Sequence, residues 1–185
     1  RFRGSLLPAL RVDHRRGPGG QLTGRGRRAQ CERSRTHRKK VAAVINRVDF
    51  SDLPKQWLLS SAEIGTPLSG RCEIFAGWHI AVADSVPIVR IVDAHGNDVG
   101  RLIGWVIDSA HLYVSDATIT LELDESPETR YQRLAGRFVM VWRGCDGGLR
   151  LREDSAGGLP AIYVPDAALV GATVRVLERV TSLPL

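Results

Sequence analysis

Residues 136–163 constrain the fold more than any other stretch of this chain. Gly136-Arg137-Phe138-Val139-Met140-Val141-Trp142 is β-patterned, and so is Gly148-Leu149-Arg150-Leu151-Arg152-Glu153-Asp154. The two runs are joined by Arg143-Gly144-Cys145-Asp146-Gly147, a short loop rich in turn formers, so strands are predicted at 138–142 and 148–153. The next segment places Asp154, Gly157 and Pro160 three residues apart and leads into an apolar run ending at Tyr163, which predicts a third strand at 161–164.

Strand signals dominate upstream as well. Residues 41–71 carry the apolar stretch Val41 to Val48 and then Trp57-Leu58-Leu59, and Ser69-Gly70-Arg71-Cys72 reads as a loop. Phe75 to Val82 reads as one strand. Pro87 to Val92 and Val99 to Ile107 flank Asp93-Ala94-His95-Gly96-Asn97-Asp98, whose Gly and Asn between β-branched runs predict a hairpin turn. Residues 117–123 alternate with period two, setting Ala117, Ile119, Leu121 and Leu123 on one face. Residues 169–176 read as a last strand, with a helical turn at Val176 to Val180. One helix is well signalled. Ser126 can cap it, Pro127 suits its first position, Glu128 favours its first turn, Tyr131 and Leu134 share a face, and Gly136 can end it. At about two and a half turns it must rely on docking to a sheet. The predicted sheet core comprises Ile88, Ile103, Trp105, Ile119, Leu121, Phe138, Met140, Leu149, Leu151 and Ile162. The expected class is α+β: two packed, mostly antiparallel β-sheets with few short helices.

The 185 residues allow one domain with a core, plus a tail. The net charge of +6 averages two unlike parts: residues 1–40 carry +11 and residues 41–185 carry −5. The first forty residues are rich in Arg and Gly and have no apolar period, so a disordered basic tail is expected there, with the domain over 41–185. Two origins for the tail remain open, a mis-called start and a phosphate-binding arm. Nucleic acid is the less expected partner, because Phe2 is the tail's one aromatic and no stacking platform accompanies the charge. Three cysteines, Cys31, Cys72 and Cys145, are odd in number and far apart, which fits free thiols in the cytoplasm rather than a disulfide framework or a zinc site. No apolar run approaches the length of a membrane helix. His79, His95 and His111 lie sixteen apart, without metal-pair spacing. No metal and no cofactor is expected: the chain contains no Walker loop and no Gly-x-Ser-x-Gly elbow.

The 136–163 pattern resembles the glutamine-amidotransferase domain at the N-terminus of asparagine synthetase and its relatives. There a Gly-x-Phe-apolar run precedes Arg-Asp-x-x-Gly-x-x-Pro-Leu-Tyr. Gly136, Phe138, Asp154, Gly157, Pro160 and Tyr163 match, and Glu153 stands where the family has Arg. The resemblance covers roughly residues 74–180. It implies a reduced form of the N-terminal-nucleophile (Ntn) hydrolase sandwich, and a structural role for the loop. Asp154 would hold the loop's backbone N–H groups, the glycines would permit positive φ, and Pro160 would fix the backbone leading into the next strand.

The same resemblance makes Cys72, in Cys72-Glu73-Ile74-Phe75-Ala76-Gly77, the runner-up nucleophile, with no residue assigned as catalytic. In active members the Cys is N-terminal and its free amine is the base that activates the thiol. Here 71 residues precede Cys72, so cleavage after Arg71 would be required, and Glu73 replaces the family's Gly. The family's Asn-Gly oxyanion pair is met only by Gly96-Asn97 in reversed order, a composition ordinary for a turn. Arg101 and Ser115-Asp116-Ala117-Thr118 are the nearest matches to its substrate-holding Arg and Ser-Asp-x-Glu. What the resemblance implies is a non-catalytic, glutaminase-like scaffold or docking domain, in a truncated or free-standing chain. The implied partner is an asparagine-synthase-like domain or protein that uses ATP to form amides. The alternatives are an active glutaminase using a processed Cys72, and nucleic-acid binding through the basic tail.

Overall fold

The strands expected at 138–142 and 148–153 form, the first of them extended to Ala135–Arg143. A computed structural model of the chain describes residues 48–65, 67, 69–107 and 118–181, and the backbone of residues 10–12 and 113–114. The strands are β1 (Leu10–Val12), β2 (Trp57–Ser60), β3 (Arg71–Phe75), β4 (Trp78–Val82), β5 (Ile88–Val92), β6 (Asp98–Ile107), β7 (Tyr113–Val114), β8 (Thr118–Thr120), β9 (Ala135–Arg143), β10 (Leu149–Glu153), β11 (Ile162–Val164) and β12 (Leu169–Gly171). Two helices accompany them, α1 (Pro127–Tyr131) and α2 (Val174–Thr181), with a 3-10 turn at Pro165–Ala167.

The strands form two sheets. The larger runs β1-β10-β9-β6-β5-β8, with β7 also on β6; the smaller runs β11-β12-β2-β4-β3. All pairs are antiparallel except β1 with β10 and β5 with β8. The expected class, an α+β fold of two packed and mostly antiparallel sheets with short helices, is what the chain adopts.

Alternation assigns the two faces of the larger sheet. Val139, Val141, Leu149, Leu151 and Ile103 join Trp57, Leu59, Ile80 and Val82 of the smaller sheet in one core cluster. Phe138, Met140, Trp142, Leu102, Val89 and Ile91 face the other way and are covered by Leu121 and Tyr131. Helix α1 docks by edge-on contact of Tyr131 with Phe138, ring centroids 5.9 Å apart. Ser126 caps it by accepting from the Thr129 N–H, with Pro127 in the first turn as expected. Helix α2 packs Val176, Leu177 and Val180 inward, and the Arg179 guanidinium ties it to Asp52 at 2.5 Å.

Several expectations are corrected. Phe75 to Val82 is not one strand but a hairpin: β3 and β4 are joined by Ala76-Gly77, both at positive φ, as a two-residue turn of this hand requires. Arg71 and Cys72 are therefore strand residues rather than loop. Of 118–123 only Thr118–Thr120 is strand, and Leu123 is 72% exposed, because the chain turns after Leu121 toward the α1 cap; Ala117 lies outside the described residues. Helix α1 is one and a half turns, and Gly136 lies in β9 instead of closing it. At φ +132°, a Cβ on Gly136 would sit 2.2 Å from the Trp105 carbonyl oxygen, so the strand crossing demands glycine there. The last strand stops at Gly171 and α2 starts at Val174. Ile88, Trp105 and Ile162 are half-buried at the margin of the core; the other seven expected core residues are buried.

The expectation of a disordered tail over 1–40 lies outside the described residues, apart from Leu10–Val12. Those three residues pair in parallel with Leu149–Leu151, which departs from it. The stretch 41–47 also lies outside the described residues. Among the described residues, no helix is long and apolar enough to cross a membrane.

Candidate functional site

The matched loop forms a cage of N–H groups around one carboxylate. Asp154 directly follows β10, is 6% exposed, and donates its own N–H to the Phe138 carbonyl at 2.9 Å. Its carboxylate accepts from Ala156 N at 2.8 Å, Gly158 N at 3.0 Å, Leu159 N at 3.2 Å and, across the sheet, Phe138 N at 3.2 Å. Gly157 takes φ +64°, which lets the loop curl back over Asp154. Arg137 donates to the Gly158 carbonyl at 3.1 Å from outside. Pro160 is exposed just before β11, and Tyr163 is half-buried in β11 opposite Val170. Gly136, Phe138, Asp154, Gly157 and Pro160 are thus parts of one hairpin and its following loop, and Tyr163 lies in the next strand, in the smaller sheet. The cage is closed on itself: all four donors point at a protein oxygen.

Glu153, in the family's Arg position, also serves the loop. Its carboxylate accepts from Ala161 N at 2.5 Å, and its backbone carbonyl accepts from the Tyr131 hydroxyl at 2.5 Å.

Cys72 lies elsewhere, on β3, an outer strand of the smaller sheet, and is exposed. Alternation turns Glu73 and Phe75 toward the larger sheet and leaves Cys72 and Ile74 on the other face, where Ile74 is 62% exposed. Partial desolvation raises the thiol above its ordinary value, and the neighbouring Glu73 charge raises it further. An activated cysteine needs the opposite, a cation or helix terminus that stabilises the thiolate.

Arg101, the nearest match to a substrate-holding arginine, is 6% exposed and fully engaged. Its Nε donates to Glu73 at 2.6 Å, bridging the two sheets. Nη1 donates to Asp98 and to the Gly100 carbonyl, and Nη2 donates to the other Asp98 oxygen at 2.8 Å. Phe75 lies under the guanidinium, 4.9 Å from its ring centroid. Asp98 also pairs with Arg90 at 3.4 Å, so Asp98 and Glu73 together balance the two arginines that β5 and β6 set directly opposite. Burial alone would lower Arg101, but Asp98 and Glu73 more than offset it and leave the guanidinium raised. Asp98 is lowered, chiefly by its hydrogen bond from Arg101.

Asn97 is a turn residue. Its side-chain amide donates to Asp93 at 2.7 Å, and its N–H donates to the same carboxylate at 2.8 Å. His95 caps the same turn through its own N–H, and His79 is half-buried in β4. His111, Cys31 and Ser115-Asp116-Ala117 lie outside the described residues; Thr118 is exposed in β8. No group of three or more His, Cys, Asp or Glu among the described residues could hold a metal.

Sequence reasoning missed the Glu73–Arg101–Asp98–Arg90 network. One signal was available: Arg101 shares its strand face with Ile103, an inward position in β6. No family model, no curated protein and no solved structure matches this chain. The family resemblance therefore stands on the residues named above.

Proposed function

We propose that this chain is a non-catalytic, glutaminase-like docking domain of an asparagine-synthase-like system, in which an ATP-using domain or protein forms the amide. The observation that carries the reading is the state of the two residues a glutaminase would need. Cys72 has a raised thiol on the outward face of an outer strand, and Arg101 is spent on Glu73 and Asp98.

The upstream segment supports it too. Residues 57–60 form β2, flanked by β12 and β4 in the smaller sheet, and Trp57, Leu58 and Leu59 are fully buried. Freeing an amine at Cys72 by releasing residues 1–71 would remove a central strand. The Asp154 cage fits a domain kept for its shape: it rigidifies a surface loop without offering a donor to a substrate.

The test is ammonia release from glutamine by the full chain, and by the same chain cut between Arg71 and Cys72 with both pieces retained. Silence in both, with circular dichroism unchanged by the cut, is expected. Activity in the cut protein that vanishes in Cys72→Ala would replace the docking reading with a processed glutaminase.

A further inference from the structure

Hydrogen-bond parity decides what the outer edge of β10 offers. The Gly144 N–H donates to the Gly148 carbonyl at 2.8 Å, and the Asp154 N–H donates to the Phe138 carbonyl at 2.9 Å. Alternation between those two pairs makes Arg150 and Arg152 spend their backbone groups on β9. Leu149, Leu151 and Glu153 turn theirs to the other side. The Glu153 carbonyl is taken by the Tyr131 hydroxyl. Leu149 and Leu151 are fully buried, and the backbone groups of a buried residue need partners.

β1 supplies them. Leu10–Val12 run parallel to Leu149–Leu151. The register sets Arg11 between the two leucines, its N–H toward the Leu149 carbonyl and its carbonyl toward the Leu151 N–H. This occupant is lightly tied. It is three residues long, and β10 is its one strand neighbour among the described residues. Parallel pairing is the weaker kind, and residues 13–56 separate β1 from β2 on the other sheet. It can leave without unpairing another strand.

We propose that the β10 edge is a strand-accepting site, filled in cis by Leu10–Val12 and open by exchange to an extended segment of a docking partner that carries apolar residues two apart. Strand addition takes its affinity from the backbone ladder and its specificity from alternate side-chain positions, which here fall beside Leu149 and Leu151. That segment is the docking contact of the domain proposed above, a reading on which this inference rests.

The probe is a fluorescein-labelled peptide of residues 7–15, Leu-Pro-Ala-Leu-Arg-Val-Asp-His-Arg, titrated by anisotropy into the full chain and into the full-length double variant Leu10→Asp, Val12→Asp. Emptying the site of its cis strand should tighten peptide binding about tenfold or more, because the wild-type edge is open only a small fraction of the time. The same peptide N-methylated at its Arg11 nitrogen keeps its charge, lacks the ladder N–H and should not bind. Hydrogen exchange at the Leu151 amide should be slow in the wild type, faster in the double variant and slow again with peptide bound. Equal affinity for both chains, no binding to the variant, binding of the methylated peptide, or a Leu151 amide as fast in the wild type as in the variant would overturn the proposal. So would loss of the wild-type circular dichroism in the variant, which would make β1 a fixed part of the sheet. Ammonia release by the cut chain would instead sink the docking reading and leave peptide binding intact.

Discussion

Replacing Asp154 by Ala should be among the most destabilising changes available at a surface loop. The carboxylate accepts four backbone N–H groups. Hydrogen bonds to a charged acceptor contribute about 1.5–3 kcal/mol each, but the four share one carboxylate and are not additive. Ala156 and Gly158 lie in the outer part of the loop, where water can replace the lost oxygen. The N–H groups of Phe138 and Leu159 are buried, and each would be left unsatisfied at a cost of about 1–3 kcal/mol. The expected loss is therefore about 4 kcal/mol, dominated by those two groups. Asp154→Asn keeps one acceptor oxygen and turns an amide N–H₂ toward the remaining donors, so it should lose about half as much. Urea unfolding measures both. At a slope of about 2 kcal/mol per molar urea, the Ala midpoint should fall by about 2 M with the slope unchanged. A loss below about 1 kcal/mol for Asp154→Ala would refute the cage as the element that holds this loop.

Phe138→Ala should cost about 3–5 kcal/mol, since the ring is fully buried against Tyr131 and Met140; urea unfolding checks it, and less than about 1 kcal/mol would break the match at Phe138. Arg101→Gln should cost about 2 kcal/mol near pH 7, discounted because Asp98 and Glu73 are each about a third exposed. The pH dependence has a definite sign. Asp98 is lowered in the folded state, so its contribution is full above the unfolded carboxylate value of about 3.9 and is lost as pH falls through the folded value. The stability gap between wild type and Arg101→Gln should therefore hold from pH 7 to about pH 5 and shrink below about pH 4; a gap that widens in acid would contradict the assignment.

The parts of this fold legible in sequence are those set by neighbours in the chain. The β9–β10 hairpin, the Ser126 cap and the Asp154 loop follow from turn and capping chemistry within a few residues. The β3–β4 hairpin was hidden because apolar residues run almost unbroken from Phe75 to Val82 and the turn rests on one glycine beside Ala76. Gly136 was assigned to a helix end because positive φ serves equally there and at a tight strand crossing, and only the approach of Trp105 distinguishes them. The Arg101 network was illegible for another reason: Glu73 lies 28 residues away on a different sheet.

The central claim is that Cys72 is a disarmed thiol, and its titration tests this most directly. In the Cys31→Ser, Cys145→Ser background, the iodoacetamide rate at Cys72 measured against pH gives the thiol's own value. Burial and Glu73 predict a midpoint above that of a free cysteine, about 8.5, and a downward move in Glu73→Gln. A midpoint below about 7 would reveal an activated nucleophile and contradict the account.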